Sequence, residues 1–169
     1  MRNATRVALL VTIGATIACD RVTKQVAQAT LAGSPRLSFL ADTVRLEYAE
    51  NLGGFLGLGG NWSPATRVAL LTVATGLLLA AAVGMAFRVR LSGSRLLGLA
   101  LFVTGGACNW ADRMMRGSVT DFLNVGIGPV RTGIFNVADM AIMLGVGLVL
   151  YSELRPSSRG AMHPSDRAT

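Results

Sequence analysis

Charged and metal-binding side chains are both scarce in this chain. Lys, Arg, Asp and Glu make up 15% of its 169 residues, whereas an average soluble domain has about 25%. The single histidine is His163, and the two cysteines, Cys19 and Cys108, stand alone in apolar sequence. These residues provide no cluster of nitrogen and sulfur ligands, which argues against a metal centre, and we expect no cofactor. Both cysteines are expected to be buried as small apolar residues.

Aromatic residues are also few, at 6% of the chain, although the net charge is +7. The basic residues are scattered singly and do not form a stripe interleaved with aromatic side chains. The sequence therefore argues against nucleic acid as a partner. Attraction to anionic lipid headgroups explains the positive charge more simply, so membrane lipids are the expected partners.

The long runs without charge indicate the class of protein. Residues 68–87 carry no charged side chain and would form a helix about 30 Å long, which matches the thickness of a bilayer core. Four spans fit the sequence, at about 7–27, 68–87, 96–112 and 134–151. The expected fold is an all-α membrane protein with four transmembrane helices in a single domain, residues 1–154. The first span also resembles a cleaved signal peptide, but the three spans that follow favour its retention as an anchor.

The segments between the spans indicate orientation and accessory structure. The short connector with Arg88, Arg90 and Arg95 is expected in the cytoplasm, which places both termini there as well. Residues 44–48 alternate loosely, as strands do, and a glycine-rich stretch follows them. We therefore expect a small extracytoplasmic β-structure at about 36–60 that lies against the membrane. The polar tail at 155–169 is expected to be disordered.

Acidic side chains inside the apolar runs are the candidates for function. Asp139 is the single charge in residues 134–150, where an acid costs roughly 2.5–3.5 kcal/mol. Asp121 lies in the connector that precedes this run, close enough in sequence to fold over the helix ends. Residues three or four apart share a helix face, and this spacing groups the following polar side chains: Asn136 with Asp139, Asn109 with Asp112 and Arg113, and Asp20 with Lys24.

Two carboxyl groups at one membrane depth indicate the chemistry of aspartic peptidases. Close carboxylates cannot both ionise easily, so they share a proton. The ionised group takes a proton from water, and the protonated group donates to the scissile carbonyl. Spacing alone does not decide which two of Asp112, Asp121 and Asp139 form the pair. Other interpretations stay open: a proton relay through these three acids in a small transporter, loop capping by Asp121, and structural ion pairs of Asp112 with Arg113 and of Asp20 with Lys24.

Five short motifs, in their order along the chain, resemble those of lipoprotein signal peptidase (signal peptidase II), a family of four-span aspartic peptidases. The motifs are Asp20-x-x-Thr23-Lys24, Asn51-x-Gly53, Gly105-x-x-x-Asn109-x-x-Asp112-Arg113, Val119-x-Asp121-Phe122 and Phe135-Asn136-x-Ala138-Asp139. The resemblance extends over about residues 7–151. It departs from the family pattern at two places, because Cys108 replaces a glycine and the aromatic Phe55 is displaced by one position.

The resemblance implies a role for each polar residue. Asp121 and Asp139 would be the catalytic pair, and Asn109 and Asn136 would position it. The remaining residues would contact the substrate backbone or support the cavity: Asn51, Arg113, Asp112, Asp20 and Lys24.

The resemblance also implies a substrate and a location. The substrate would be a prolipoprotein whose cysteine carries diacylglycerol, cut just before that cysteine. The enzyme would act as a monomer in the bacterial inner membrane, with its active site near the outer leaflet. Residues 36–60 would form a β-cradle, and the connector with Asp121 would act as a lid. A non-catalytic relative that only binds lipidated precursors is a further alternative.

Overall fold

A computed structural model of the chain describes residues 3–54, 57–89, 91 and 93–154. The polar tail predicted at 155–169, together with Phe55 and Arg90, lies outside the described residues. The described part consists of four helices and a four-stranded antiparallel sheet. The expectation of a helical protein with a small β-structure is therefore confirmed.

Each predicted span corresponds to a helix of the structure. The helices are α1 (Asn3–Leu31), α2 (Pro64–Arg88), α3 (Gly93–Arg116) and α4 (Val137–Leu154). The first three extend beyond the predicted spans at both ends. By contrast, α4 begins three residues later than expected, at Val137, because Phe135 forms a β-bridge with Leu123. Of the described helices, α2 and α4 are long and apolar enough to cross a membrane.

The second helix is not uniform along its length. It starts at Pro64 after the capping residue Ser63, whose hydroxyl accepts a hydrogen bond from the Thr66 amide at 3.2 Å. Proline is favoured at the first helical position because its missing N–H would have no partner there. The segment Val68–Ala74 is π-helical, and α-helical geometry resumes at Thr75. Such π-helical segments occur often at functional sites.

Polar residues form a large part of the interior of the helical bundle, together with small and apolar ones. On α1 the buried residues are Thr16, Asp20, Lys24, Ala27 and Leu31, a spacing that defines one stripe along the helix. By contrast, many large apolar side chains on the helices are exposed, including Leu77, Phe87 and Leu144. An apolar exterior around an interior that includes charged and amide side chains is the distribution expected of a protein whose solvent is lipid.

The sheet contains strands from two distant parts of the chain. Its strands are β1 (Leu37–Phe39), β2 (Val44–Asn51), β3 (Val119–Ile127) and β4 (Val130–Arg131), paired in that order. The region predicted as a β-cradle at 36–60 supplies β1 and β2, whereas β3 and β4 belong to the connector predicted as a lid. The connector is thus a part of the sheet, and Asp121 lies opposite Ala49 of β2.

Close packing between α3 and α4 depends on glycine. A Cβ atom added at Gly145 would lie 2.5 Å from the carbonyl oxygen of Gly98 and 2.6 Å from the amide nitrogen of Phe102. An atom there would push the two helix backbones apart. Small residues permit such close helix contact in membrane proteins.

We expect Gly145→Ala to destabilise the protein by about 1–3 kcal/mol, because the added methyl overpacks this crossing. The measurement is the free energy of unfolding in mixed micelles. Gly147→Ala is the matched control, since a Cβ at Gly147 would meet nothing within 4 Å. Equal stability of the two variants would contradict the prediction.

Candidate active site

Asp121 and Asp139 line the same cavity, which has a volume of about 320 Å³. Asp121 lies on β3 and is 2% exposed, while Asp139 lies in the first turn of α4. The cavity is also lined by Arg113 of α3 and by apolar residues of the helices, such as Leu71 and Ile142. The fold therefore brings together two of the three acids that the sequence left as candidates.

Asn136 connects the two acids. Its side-chain oxygen accepts a hydrogen bond from the Asp139 amide at 3.0 Å, and its own amide donates to Asp139 Oδ2 at 3.2 Å. This reciprocal pair resembles a capping box at the start of α4. The side-chain nitrogen of Asn136 donates to Asp121 Oδ1 at 2.6 Å. One fully buried residue thus holds both carboxyl groups.

Two further asparagines complete the shell around the acids. Asn109 Nδ2 donates to Asp139 Oδ1 at 2.8 Å, and Asn51 Nδ2 donates to Asp121 Oδ2 at 2.8 Å. Asn136 Nδ2 also donates to Asn109 Oδ1 at 3.2 Å. Each carboxyl oxygen accepts a hydrogen bond from a neutral amide, which orients it without neutralising its charge.

The environment of Asp121 favours its protonated form. Burial raises the pKa of Asp121 from 3.8 to about 6, and the nearby carboxylate of Asp139 contributes to this increase. The hydrogen bonds from Asn51 and Asn136 act in the opposite direction. A raised pKa allows this acid to hold a proton where an ordinary aspartate has lost it.

Because Asp121 binds its proton more tightly in the folded state, its contribution to stability decreases as the pH rises from about 4 to about 6. We expect Asp121→Asn to remove this dependence. Between pH 4 and pH 7, the wild type should therefore lose about 2–3 kcal/mol of unfolding free energy relative to the variant.

The measurement is unfolding in mixed micelles at the two pH values. Asp42→Asn is the control, because hydrogen bonds from Arg45 and Ser38 hold the pKa of Asp42 below its usual range. The contribution of Asp42 to stability is lost only below about pH 4, so this variant should differ from wild type by nearly the same amount at pH 4 and at pH 7. A difference between wild type and Asp121→Asn that does not vary with pH would contradict the prediction.

Asp112 belongs to a separate ion-pair network and does not line this cavity. Its carboxylate is fully buried and accepts hydrogen bonds from Arg21 at 2.9 Å, Lys24 at 2.8 Å and Arg116 at 2.9 Å. The ion pair between Asp112 and Arg113 that the sequence left open is not formed. The one between Asp20 and Lys24 is present at 2.9 Å.

Asp20 and Lys24 connect this network to the site. Lys24 Nζ donates to Asn109 Oδ1 at 2.9 Å. This contact orients the side-chain amide of Asn109 so that its nitrogen donates to Asp139. Asp20 Oδ1 accepts a hydrogen bond from the Ala138 amide at 3.0 Å, in the first turn of α4. Both residues therefore support the arrangement around Asp139 from α1.

Arg113 faces the cavity instead of Asp112. It donates to the carbonyl oxygen of Gly53 at 2.6 Å, and thereby fixes the loop after β2. Its Nε atom is buried and has no hydrogen-bond partner among the described residues. That loop is tight, because a Cβ at Gly53 would lie 2.5 Å from the Gly57 carbonyl oxygen.

Several contributors were not predicted from the sequence. Arg116 could have been found, since it lies four residues after Asp112 on the same helix, but Arg21 is distant in sequence. The π-helical part of α2 was also missed; there, the indole of Trp110 donates to the Thr72 carbonyl at 2.8 Å. Of the two cysteines, Cys108 is buried as expected, but Cys19 is exposed, because it lies off the buried stripe of α1.

The sequence profile of a family described as "Signal peptidase (SPase) II", peptidase family A8, matches residues 12–155. The chain belongs to the signal peptidase II family. Family membership confirms the resemblance that the five motifs indicated, and it identifies the chain as a membrane peptidase.

Individual members of the signal peptidase II family agree with this assignment. A lipoprotein signal peptidase of Solibacter usitatus is 31% identical over 145 residues, which cover 85% of this chain and 88% of the relative. One from Methylorubrum extorquens is 45% identical over 83 residues, 48% of each chain. A solved structure described as a bacterial membrane enzyme has the same fold, with a TM-score of 0.76 at 22% identity, covering 92% of this chain and 93% of the other.

Proposed function

We propose that this member of the signal peptidase II family is an aspartic endopeptidase that uses Asp121 and Asp139 as its catalytic pair. Its substrates are diacylglyceryl-modified prolipoproteins, and the cut falls just before the lipidated cysteine. The observation that carries the proposal is the joint placement of two carboxyl groups on one cavity, bridged by Asn136. The names of the relatives support the substrate class.

The hydrogen bonds around the pair support a division of labour. Asp121, whose pKa is raised to about 6, carries the shared proton and donates it to the scissile carbonyl. Asp139 is the base that takes a proton from the attacking water. The tetrahedral intermediate then collapses when a carboxyl group returns a proton to the leaving amine. Asn51, Asn109 and Asn136 keep the oxygens aligned during these transfers.

The surface of the bundle supports a placement in the bacterial inner membrane. All four helices cross the bilayer in this proposal, with both termini in the cytoplasm and the sheet on the outer side. Because Asp139 lies in the first turn of α4, next to the sheet, the pair is then near the outer leaflet. The lipid chains of a precursor remain in the bilayer while the scissile bond reaches the acids, which reduces the entropic cost of alignment.

The ion pairs of Asp112 favour a peptidase over a proton relay. A relay through three acids requires each of them to accept and release a proton. Three cations surround Asp112, which stabilises its ionised form, and it does not line the cavity of Asp121 and Asp139. Asp112 is therefore unsuited to a proton relay with Asp121 and Asp139.

The test of the proposal is cleavage by the purified full-length protein in lipid. Two synthetic precursors are compared, one with a diacylglyceryl group on its cysteine and one without it. We expect cleavage of the first only, with mass spectrometry locating the new amino terminus at the lipidated cysteine. Binding of the modified precursor without cleavage would identify a non-catalytic relative, and cleavage at another bond would also overturn the proposal.

Asn136→Ala should reduce the cleavage rate by about a hundredfold, because both acids lose a hydrogen bond that aligns them. The loss of the helix cap should also destabilise the protein by about 0.5–2 kcal/mol. Asn124→Ala is the matched control, since Asn124 is a buried amide on β3 that bonds Thr132 and Arg131 and does not line the cavity. If both variants lost activity equally, the role of Asn136 in alignment would be wrong.

A further inference from the structure

A second cavity lies next to the proposed active site and shares two residues with it. It has a volume of about 290 Å³, and the described residues that line it are Ala49, Glu50, Asn51, Leu52, Gly57, Asp121 and Ile134. Asn51 and Asp121 also line the first cavity. The hydrogen bond between these two side chains therefore lies where the cavities meet, beside the proposed acid.

The two cavities differ in the elements that form them. The first is lined in part by the apolar residues Leu71, Ile142 and Met143, which belong to α2 and α4. Among the described residues, those that line the second cavity belong to the sheet and the loops and lie outside the four helices. A polypeptide with its scissile bond at Asp121 would thus have the helices on one side and, on the other, the sheet and loops that carry the carboxylate of Glu50.

Glu50 gives the second cavity a fixed negative charge. It is the one exposed residue of β2, and its two carboxylate oxygens accept hydrogen bonds from the hydroxyl groups of Tyr48 and Ser118. The hydrogen bond from Ser118 is the main reason that the pKa of Glu50 lies below its usual value, and the hydrogen bond from Tyr48 lowers this pKa further. Arg116 also lies near enough to favour the ionised form. Arg116 reduces the attraction between Glu50 and a cationic ligand. It does not cancel that attraction, because the charge of Arg116 is already paired with the carboxylate of Asp112.

We propose that the second cavity binds the residues that follow the lipidated cysteine, and that Glu50 selects a cationic side chain there. The inference rests on the proposed function. A signal sequence is apolar and remains in the membrane, so it suits the cavity lined by helices. The mature polypeptide leaves into water, so it suits the cavity formed by the sheet and its loops. A positive side chain next to the cysteine would then lie beside Glu50.

The test uses three diacylglyceryl-modified precursors that differ only in the residue directly after the cysteine, which is Lys, Gln or Glu. The measured quantity is kcat/KM with the full-length protein in lipid. We expect wild type to prefer the Lys precursor over the Glu precursor by about fivefold to tenfold, the range of a partly exposed charge pair combined with repulsion of the like charge. Glu50→Gln should reduce this ratio to less than about twofold, and Glu50→Lys should invert it.

Glu47→Gln is the matched control, because Glu47 lies on the same strand but lines neither cavity. It should retain the wild-type preference. A second measurement needs no variant: raising the salt concentration should shrink the ratio for wild type, since exposed charges are screened. Equal kcat/KM for all three precursors, or a preference that Glu50→Gln leaves unchanged, would overturn the inference. A wild-type protein that cleaves none of the three would instead overturn the proposed function.

Discussion

Replacing Asp121 or Asp139 with asparagine is expected to slow precursor cleavage by about 10³–10⁴-fold, because an amide can neither accept the proton of the attacking water nor donate one to the carbonyl. Binding of the precursor should persist, since the shape of the cavity changes little. The measurement is a single-turnover cleavage assay on a diacylglyceryl-modified precursor, combined with a binding assay on the same two variants.

Asp42→Asn is the control for a general effect of losing an acid. Asp42 is partly exposed at the turn between β1 and β2, where it pairs with Arg45, and the variant should cleave at a rate within about twofold of wild type. Cleavage by both catalytic variants within tenfold of wild type would exclude the pair. Loss of proton flux through liposomes in the same variants would favour the relay instead.

Lys24→Met is expected to have the largest effect on stability. The side chain of Lys24 is 3% exposed, and its ammonium nitrogen lies 2.8 Å from a carboxylate oxygen of Asp112 and 2.9 Å from one of Asp20. Removing one partner from a buried ion pair leaves uncompensated charge and typically costs about 3–5 kcal/mol. The side-chain oxygen of Asn109 would also lose one of its two donors. The measurement is the free energy of unfolding in mixed micelles.

Arg21→Met is the control for Lys24→Met. It also removes one cation from the Asp112 carboxylate, but a cation that is partly exposed. Arg21 pairs with the same carboxylate, but its side chain is 37% exposed, so its loss should cost only about 1 kcal/mol. If Lys24→Met cost no more than Arg21→Met, the buried network would not be the structural support that its geometry indicates.

The helices were predictable because each one coincides with a run of low charge. The sheet was predicted only in part, although a signal for its second half was present. Val119, Leu123, Val125 and Ile127 alternate with other residues before Gly128, a pattern typical of a strand that ends at a turn. The connector was expected as a lid and not as a strand, and local sequence contains no information on its pairing with β2.

The candidate site was predictable where it depends on neighbours along one helix. Asn136 and Asp139 have the spacing of a capping box, so their mutual hydrogen bonds follow from local chemistry. The choice of Asp121 over Asp112 did not follow from spacing. It depends on which acid meets the cations of α1, and Lys24 reaches Asp112 across 88 positions of sequence. The family motifs implied this choice, and the three-dimensional fold gives its physical reason by separating the ion pairs of Asp112 from the proposed catalytic pair.

The most direct test of the central claim is a carboxyl titration by NMR, with the aspartates labelled with carbon-13 and the full-length protein in micelles. If Asp121 and Asp139 share a proton, their two resonances should change at the same two apparent pKa values, and Asp121→Asn should abolish one of the steps seen at Asp139. Independent single titrations, with the Asp139 curve unaltered by Asp121→Asn, would contradict the account.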